Sequence, residues 1–169
     1  MMDSGDVIRE FQKLAESADA TELSILSGLI SGLKARREQR KYSYISSLLQ
    51  LNKNICTDGT RLTMTMPNTP LVHNELNITH GGMIATLIDT AMGTLASSTV
   101  PKGHATVTTD IQVRYVKPAI GDSLTCTCEL IHTGSKTIII VGKVHRDDGE
   151  LCAVSTGNFF ILKMQDARK

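Results

Sequence analysis

Tryptophan is missing from this chain, and only three Phe and three Tyr stand among its 169 residues. A pocket built from stacked rings is therefore disfavoured, and any apolar cavity is expected to be lined by aliphatic side chains and by some of the seven Met. An excess of one charge is missing too: 18 Lys plus Arg against 17 Asp plus Glu leave +1, too little to attract the phosphates of a long nucleic acid. No apolar run approaches the ~20 residues that cross a bilayer. The opening MMDSGDVIRE carries acid where a secretory signal carries positive charge, so a soluble, cytoplasmic protein is expected. The four cysteines lack CxxC spacing: Cys126 and Cys128 share one face of an alternating segment, while Cys56 and Cys152 stand apart. They read as reduced packing residues, and neither a metal nor a cofactor is expected.

What is present divides the chain. Residues 6–16 and 21–39 read as helices, the second with Leu23, Leu26, Leu29, Ile30 and Leu33 at three-to-four spacing behind a capping box of Asp19 and Glu22. Residues 1–50 thus form a helical appendage and 51–169 the main domain. Lys34, Arg36, Arg37, Arg40 and Lys41 gather near the end of the second helix, where cations complement the dipole, and read as a solvated face. Gly28 and Gly32 suggest close helix packing and nothing more.

From Thr60 the period changes to two. Arg61–Met66 alternates and stops at Pro67 and Pro70, and an irregular loop runs through Asn74 and Asn77. One long helix follows from Gly81 to about Ser97. After it come only strands: His104–Val116, with Val107, Ile111, Val113 and Tyr115 on one face, then a segment around Leu124–Leu130, then Thr137–His145 and Leu151–Leu162 joined through Asp147-Asp148-Gly149. Hairpin-length connections force antiparallel pairing, so the class is α+β, and a sheet with one helix to cover it must wrap around that helix.

That helix, GGMIATLIDTAMGTLA, is apolar or small on every side and is expected to be buried all round. Asp89 is its one ionisable residue, and a carboxylate in such a place needs a reason, because desolvating its charged form costs several kcal/mol. Burial is expected to raise its pKa, which suits a base. Gly81 and Gly82 open the helix although each costs about 1 kcal/mol relative to Ala, which suggests that something approaches the backbone closely. Amides and the positive dipole end there would polarise a carbonyl oxygen. Gly81 and Asp89 lie eight residues apart, roughly 12 Å along a straight helix, too far for one carbonyl to touch both. If both act on one substrate, one group comes from each subunit of a two-fold dimer.

The stretch NELNITHGG from Asn74 to Gly82, then Asp89, then TTDIQVRY from Thr108 to Tyr115 and KPA from Lys117 resembles the hot-dog-fold acyl-CoA thioesterases, specifically the phenylacetate-degradation (PaaI-like) group. The resemblance covers about Thr60 to Leu162. It implies a curled antiparallel sheet around one long helix, in dimers with shared active sites that often pair again into tetramers. It also implies Asp89 as general base or nucleophile, the Gly81 N–H as oxyanion donor, Asn74 and His80 as positioners of the thioester carbonyl, and Thr108 as a hydroxyl that helps hold the water. The expected partner is an acyl-CoA substrate, with no nucleic acid and no membrane.

The chemistry agrees. A thiol with pKa near 8.5 leaves as thiolate without a dedicated acid, so one carboxylate activating water suffices. No Gly-x-Ser-x-Gly element is present for a serine hydrolase. Gly82 and Met83 are further candidates for substrate contact. Lys102, Arg114, Lys117, Lys136 and Arg146 are candidates for the CoA phosphates, Lys136 first. The rival is an acyl-CoA-binding sensor of the same fold, which has no chemical need of Asp89 with Thr108.

Overall fold

Short-range capping starts the N-terminal helices. The computed structural model describes residues 3–38, 43–55 and 59–164, and in it helix α1 (Ser4–Ser17) opens with Asp3 accepting from the Asp6 amide at 2.8 Å while the Asp6 carboxylate accepts from the Asp3 amide. Helix α2 (Ala20–Glu38) repeats the device, Asp19 accepting from the Glu22 amide at 2.8 Å and Glu22 from the Asp19 amide at 2.9 Å, so the capping box read from the sequence is present. A short α3 (Tyr44–Leu48) lies on Gly32, where a Cβ would come within 2.5 Å of the Ser47 carbonyl oxygen. Gly32 is thus the close packing that its spacing with Gly28 suggested. Arg36 departs from the solvated face expected of it: its guanidinium sits 5.0 Å from the Tyr44 ring centroid. Gln39, Arg40, Lys41 and Cys56 lie outside the described residues.

The chain divides into two compact units, Met1–Leu48 and Leu49–Lys169. In the second, strands β1 (Asn52–Ile55) and β2 (Arg61–Pro67) precede a 3-10 turn (Pro70–Val72) and helix α4 (Gly81–Thr99). Strands β3 (His104–Tyr115), β4 (Ser123–Thr133), β5 (Thr137–Arg146) and β6 (Leu151–Lys163) follow. All pair antiparallel in one sheet of order β1-β2-β4-β5-β6-β3, as an α+β chain with hairpin connections requires. Helix α4 touches each of β2 to β6, so the sheet curls around it.

One stripe of α4 makes the core. Ile84, Leu87, Ile88, Ala91, Met92, Leu95 and Ala96 recur at three-to-four spacing and are buried against Leu62, Met66, Leu124, Ile138, Ile140, Val144 and Phe159 of the sheet. Glycine brings helix and strands together: at Gly142 and Gly157 an added Cβ would come within 2.9 Å of Met92. Cys126, Cys128 and Cys152 are free and buried, the first two with sulfurs 3.6 Å apart. The neighbouring Cys128 sulfur, and then burial, push the Cys126 thiol well above its ordinary range.

The expectation of burial on every side does not hold for α4. Gly82, Asp89 and Ser97 are exposed, and Thr86 and Gly93 between them are half-buried. A curled sheet can embrace only part of a cylinder, and the stripe with the smallest side chains is the part it leaves uncovered.

Candidate active site

A bulge in β3 decides which side chains reach that open stripe. Thr108 pairs with Phe159 and Asp110 with Asn158, so Thr109 is the extra residue, its hydroxyl bonded to the Asn158 carbonyl at 3.1 Å. One extra residue exchanges the two faces of a strand. Before the bulge Thr106 and Thr108 face α4; after it Ile111, Val113 and Tyr115 do, opposite Gly157, Ser155 and Ala153. The uniform alternation read from the sequence is therefore corrected at Val107, which points outward and is exposed. Three contacts lie along the helix in turn: Ser97 with Thr106 at 2.8 Å, Asp89 with Thr108 at 2.8 Å, and the Gly81 carbonyl with the Tyr115 hydroxyl at 2.7 Å.

Asp89 and Thr108 are thus brought together, the threonine hydroxyl donating to Asp89 Oδ1. The second carboxylate oxygen has no hydrogen bond among the described residues. Asp89 is exposed in the single chain, so the burial inferred from its apolar neighbours is corrected: those neighbours line the core side of the helix, and the acid stands on the other.

At the start of α4 the backbone is held by its own sequence. His80 is the N-cap, and its Nδ1 accepts from the Gly82 amide at 2.9 Å. The Gly81 amide, one of the orphan donors of a first turn, has no such partner among the described residues. Both glycines have a steric cause that the sequence could only hint at. A Cβ on Gly81 would lie 3.2 Å from the Tyr115 ring and hydroxyl, and one on Gly82 would lie 3.1 Å from His80 Nδ1.

Gly81 opens on a cavity of about 310 Å³ lined by Asn74, Ile78, Thr79, Ile84, Tyr115, Val116, Lys117, Pro118 and Ala119. The loop that supplies Asn74 is tied down at several points. Thr79 Oγ1 donates to Asn68 Oδ1 at 2.6 Å, Asn68 Nδ2 donates to the Gly121 carbonyl at 2.8 Å, and the His80 amide donates to the Val72 carbonyl at 2.8 Å. Asn74 turns the loop by accepting the Leu76 amide at 2.9 Å. That bond uses its side-chain oxygen, and the side-chain NH₂ has no partner among the described residues.

Two clusters of the expected residues therefore lie along one helix, Asn74 with Gly81 beside a cavity at its start and Asp89 with Thr108 on the open stripe two turns on. The remaining candidates sit elsewhere. Met83 is half-buried against the core, and Lys136 is exposed in the β4–β5 turn, toward the Thr106 end of β3 by register. Among the other candidate cations, Lys117 pairs with Glu150 at 2.8 Å and holds that carboxyl below its ordinary range, and Arg146 is bonded to Asp148. Tyr115 is the residue that the sequence reading left out of the site. The signal for it was the glycine pair itself, which required a close neighbour.

Comparison with known proteins bears on what such clusters are for. The sequence model of the thioesterase superfamily matches residues 76–153, and the BH2602 protein of Bacillus halodurans, whose crystal structure contains CoA, is 39% identical with a TM-score of 0.83 over 88% of this chain and 98% of that one. The chain belongs to the thioesterase superfamily, and its fold is the hot-dog fold. The PaaI protein of Escherichia coli shares that fold, at 20% identity and a TM-score of 0.65 over 80% of this chain and 94% of its own. The medium/long-chain acyl-CoA thioesterase YigI of Salmonella typhimurium is 26% identical over 98 residues, 50% of this chain and 63% of that protein. This superfamily member thus spans less than two thirds of that relative's length.

Proposed function

We propose that this protein hydrolyses acyl-CoA thioesters to free acid and CoA, each active site being shared by two copies of the chain. The observation that carries the reading is the pair of half-sites: one helix offers a carboxylate and an amide without a partner among the described residues, roughly 12 Å apart, and each lacks what the other supplies. The relatives' names support the substrate class, and CoA in the BH2602 crystal supports its carrier. Support for the pairing comes from the open stripe of α4 and from β3, which ends the sheet with one edge unpaired by the described residues, a surface that a second β3 can extend.

In the assembled site the thioester carbonyl oxygen accepts from the Gly81 amide, with the Asn74 side-chain NH₂ and the His80 cap holding the geometry. Asp89 of the partner copy takes a proton from water through its unbonded oxygen while Thr108 fixes the other. The water oxygen bonds to the carbonyl carbon, the oxyanion that forms is held by the amide, and its collapse expels CoA as thiolate. The same acid attacking directly would give an anhydride that water then opens. Lys136 is the first cation to test against the CoA phosphates, and Gly82 and Met83 are further substrate contacts. Residues 51–169 carry the chemistry and residues 1–50 are an accessory element. The buried free thiols suit a reducing compartment, the cytoplasm.

The purified chain should release CoA thiol from some member of a panel of short, long, branched and aromatic acyl-CoAs. Asp89→Ala should lower kcat by at least ~10² with the dimer intact. Micromolar binding of acyl-CoA without turnover of any member would make the chain a sensor, and equal turnover by the variant would remove Asp89 from the mechanism.

A further inference from the structure

The Gly81-Gly82 peptide is gripped at both ends by side chains. His80 Nδ1 takes its N–H at 2.9 Å and the Tyr115 hydroxyl donates to its C=O at 2.7 Å. Each gripping side chain lies in tight contact with the place where the Cβ of one of the two glycines would be, 3.2 Å for Tyr115 and 3.1 Å for His80. His80 comes from the turn before the helix, but Tyr115 comes from the far end of β3, the strand whose other end brings Thr108 to Asp89. We propose that Tyr115 is a positioning residue that sets the Gly81 amide for the thioester carbonyl, and that Gly81 is glycine because a Cβ there would press the Tyr115 ring out of place. The inference rests on the thioesterase reading above.

The physical reason is rigidity. An oxyanion donor contributes through preorganisation: the Gly81 N–H belongs to the His80–Gly81 peptide, whose carbonyl the Met83 and Ile84 amides hold, and the grip on the next peptide fixes the Gly81 backbone between the two. Every residue but proline has a higher helix propensity than glycine, so the sequence gives up propensity to keep this contact. The ring also walls the cavity beside Ile84 and Pro118, so removing only the hydroxyl separates orientation from pocket shape.

The test is a cycle of four proteins, wild type, Tyr115→Phe, Gly81→Ala and the double variant, assayed for kcat and KM on the best acyl-CoA of the panel. Asp89→Ala serves as control, and sedimentation reports the oligomer. Tyr115→Phe keeps the ring and so the wall; kcat should fall about five- to tenfold with KM within twofold, the effect of one lost hydrogen bond. Gly81→Ala displaces the ring by a few tenths of an ångström and should give a similar loss in the wild type, but less than twofold more in the Tyr115→Phe background. Wild-type kcat for Tyr115→Phe, or fully multiplicative losses in the double variant, would overturn the assignment while leaving Asp89 and the thioesterase reading intact. A wild type that hydrolyses no acyl-CoA removes that reading, and this inference with it.

Discussion

Helices α1 and α4 separate two properties that are easily confused. Helix α1 has the cleaner stripe: Val7, Ile8, Phe11 and Leu14 share one side, and Arg9, Glu10, Lys13 and Glu16 occupy the rest. Yet it buries no residue, and its four stripe residues keep between 41% and 57% of their surface. Helix α4 shows hardly any segregation and buries seven residues. A stripe tells which side of a helix would dock, whereas the absence of charge tells that docking has happened, because a helix with one carboxylate and no cation cannot be solvated on its own terms. Local devices hold α1 instead: the box of Asp3 and Asp6, and the pairs Asp6–Arg9 and Glu10–Lys13.

The contrast predicts effects of very different size. Leu87 has no exposed surface and faces the sheet, so Leu87→Ala should cost about 2–5 kcal/mol through lost transfer energy and the cavity left behind. A fall in the urea midpoint of unfolding followed by far-ultraviolet circular dichroism, with the slope unchanged, reads this directly. A midpoint within error of the wild type would mean that α4 is not the core of the sheet.

Much of this was legible. The change of period at Thr60, the single long helix and the Asp147-Asp148-Gly149 hairpin each follow from local chemistry, and Gly149 adopts the positive φ of 84° that such a turn demands. Two elements were not. Strand β1 reads Asn-Lys-Asn-Ile and is exposed throughout; it is strand only because β2 pairs with it, and no pattern within four residues can report a partner. Helix α3 is five residues long, too short for periodicity to show. Among the expected site residues, Asp89 and Gly81 stood out because their chemistry is out of place in their surroundings, whereas Asn74, ordinary in a loop, entered only through the family resemblance. Tyr115 did not stand out, since a Tyr on an apolar strand face needs no explanation. The bulge at Thr109 was invisible for a similar reason: Thr-Thr-Asp fits either face, so nothing in the letters marks where the parity changes. The exposure of Asp89 escaped because composition reports that a helix avoids water, not whether its own sheet or another chain excludes it.

A middle-sized effect should come from the caps. In Asp19→Ala the Glu22 amide loses its acceptor, a loss of ~1 kcal/mol for the first turn of α2. Amide exchange at residues 22 and 23 should quicken about fivefold, with the urea midpoint of the sheet unit unmoved. Equal protection in the two proteins would mean that packing, not capping, fixes where α2 begins.

The smallest effect tests the comparison most sharply. Ile8 is 57% exposed on the stripe of α1, and Ile8→Gln exchanges a β-branched residue for a straight one of better helix propensity while removing little buried area. If α1 is held by its caps and ion pairs, the change should alter stability by no more than about 0.5 kcal/mol. Helical content and sedimentation should stay as in the wild type. A drop well beyond that, or a change of oligomeric state, would show that the stripe is covered in solution by another molecule, and that α1, like the open stripe of α4 in the proposed dimer, is half of a contact.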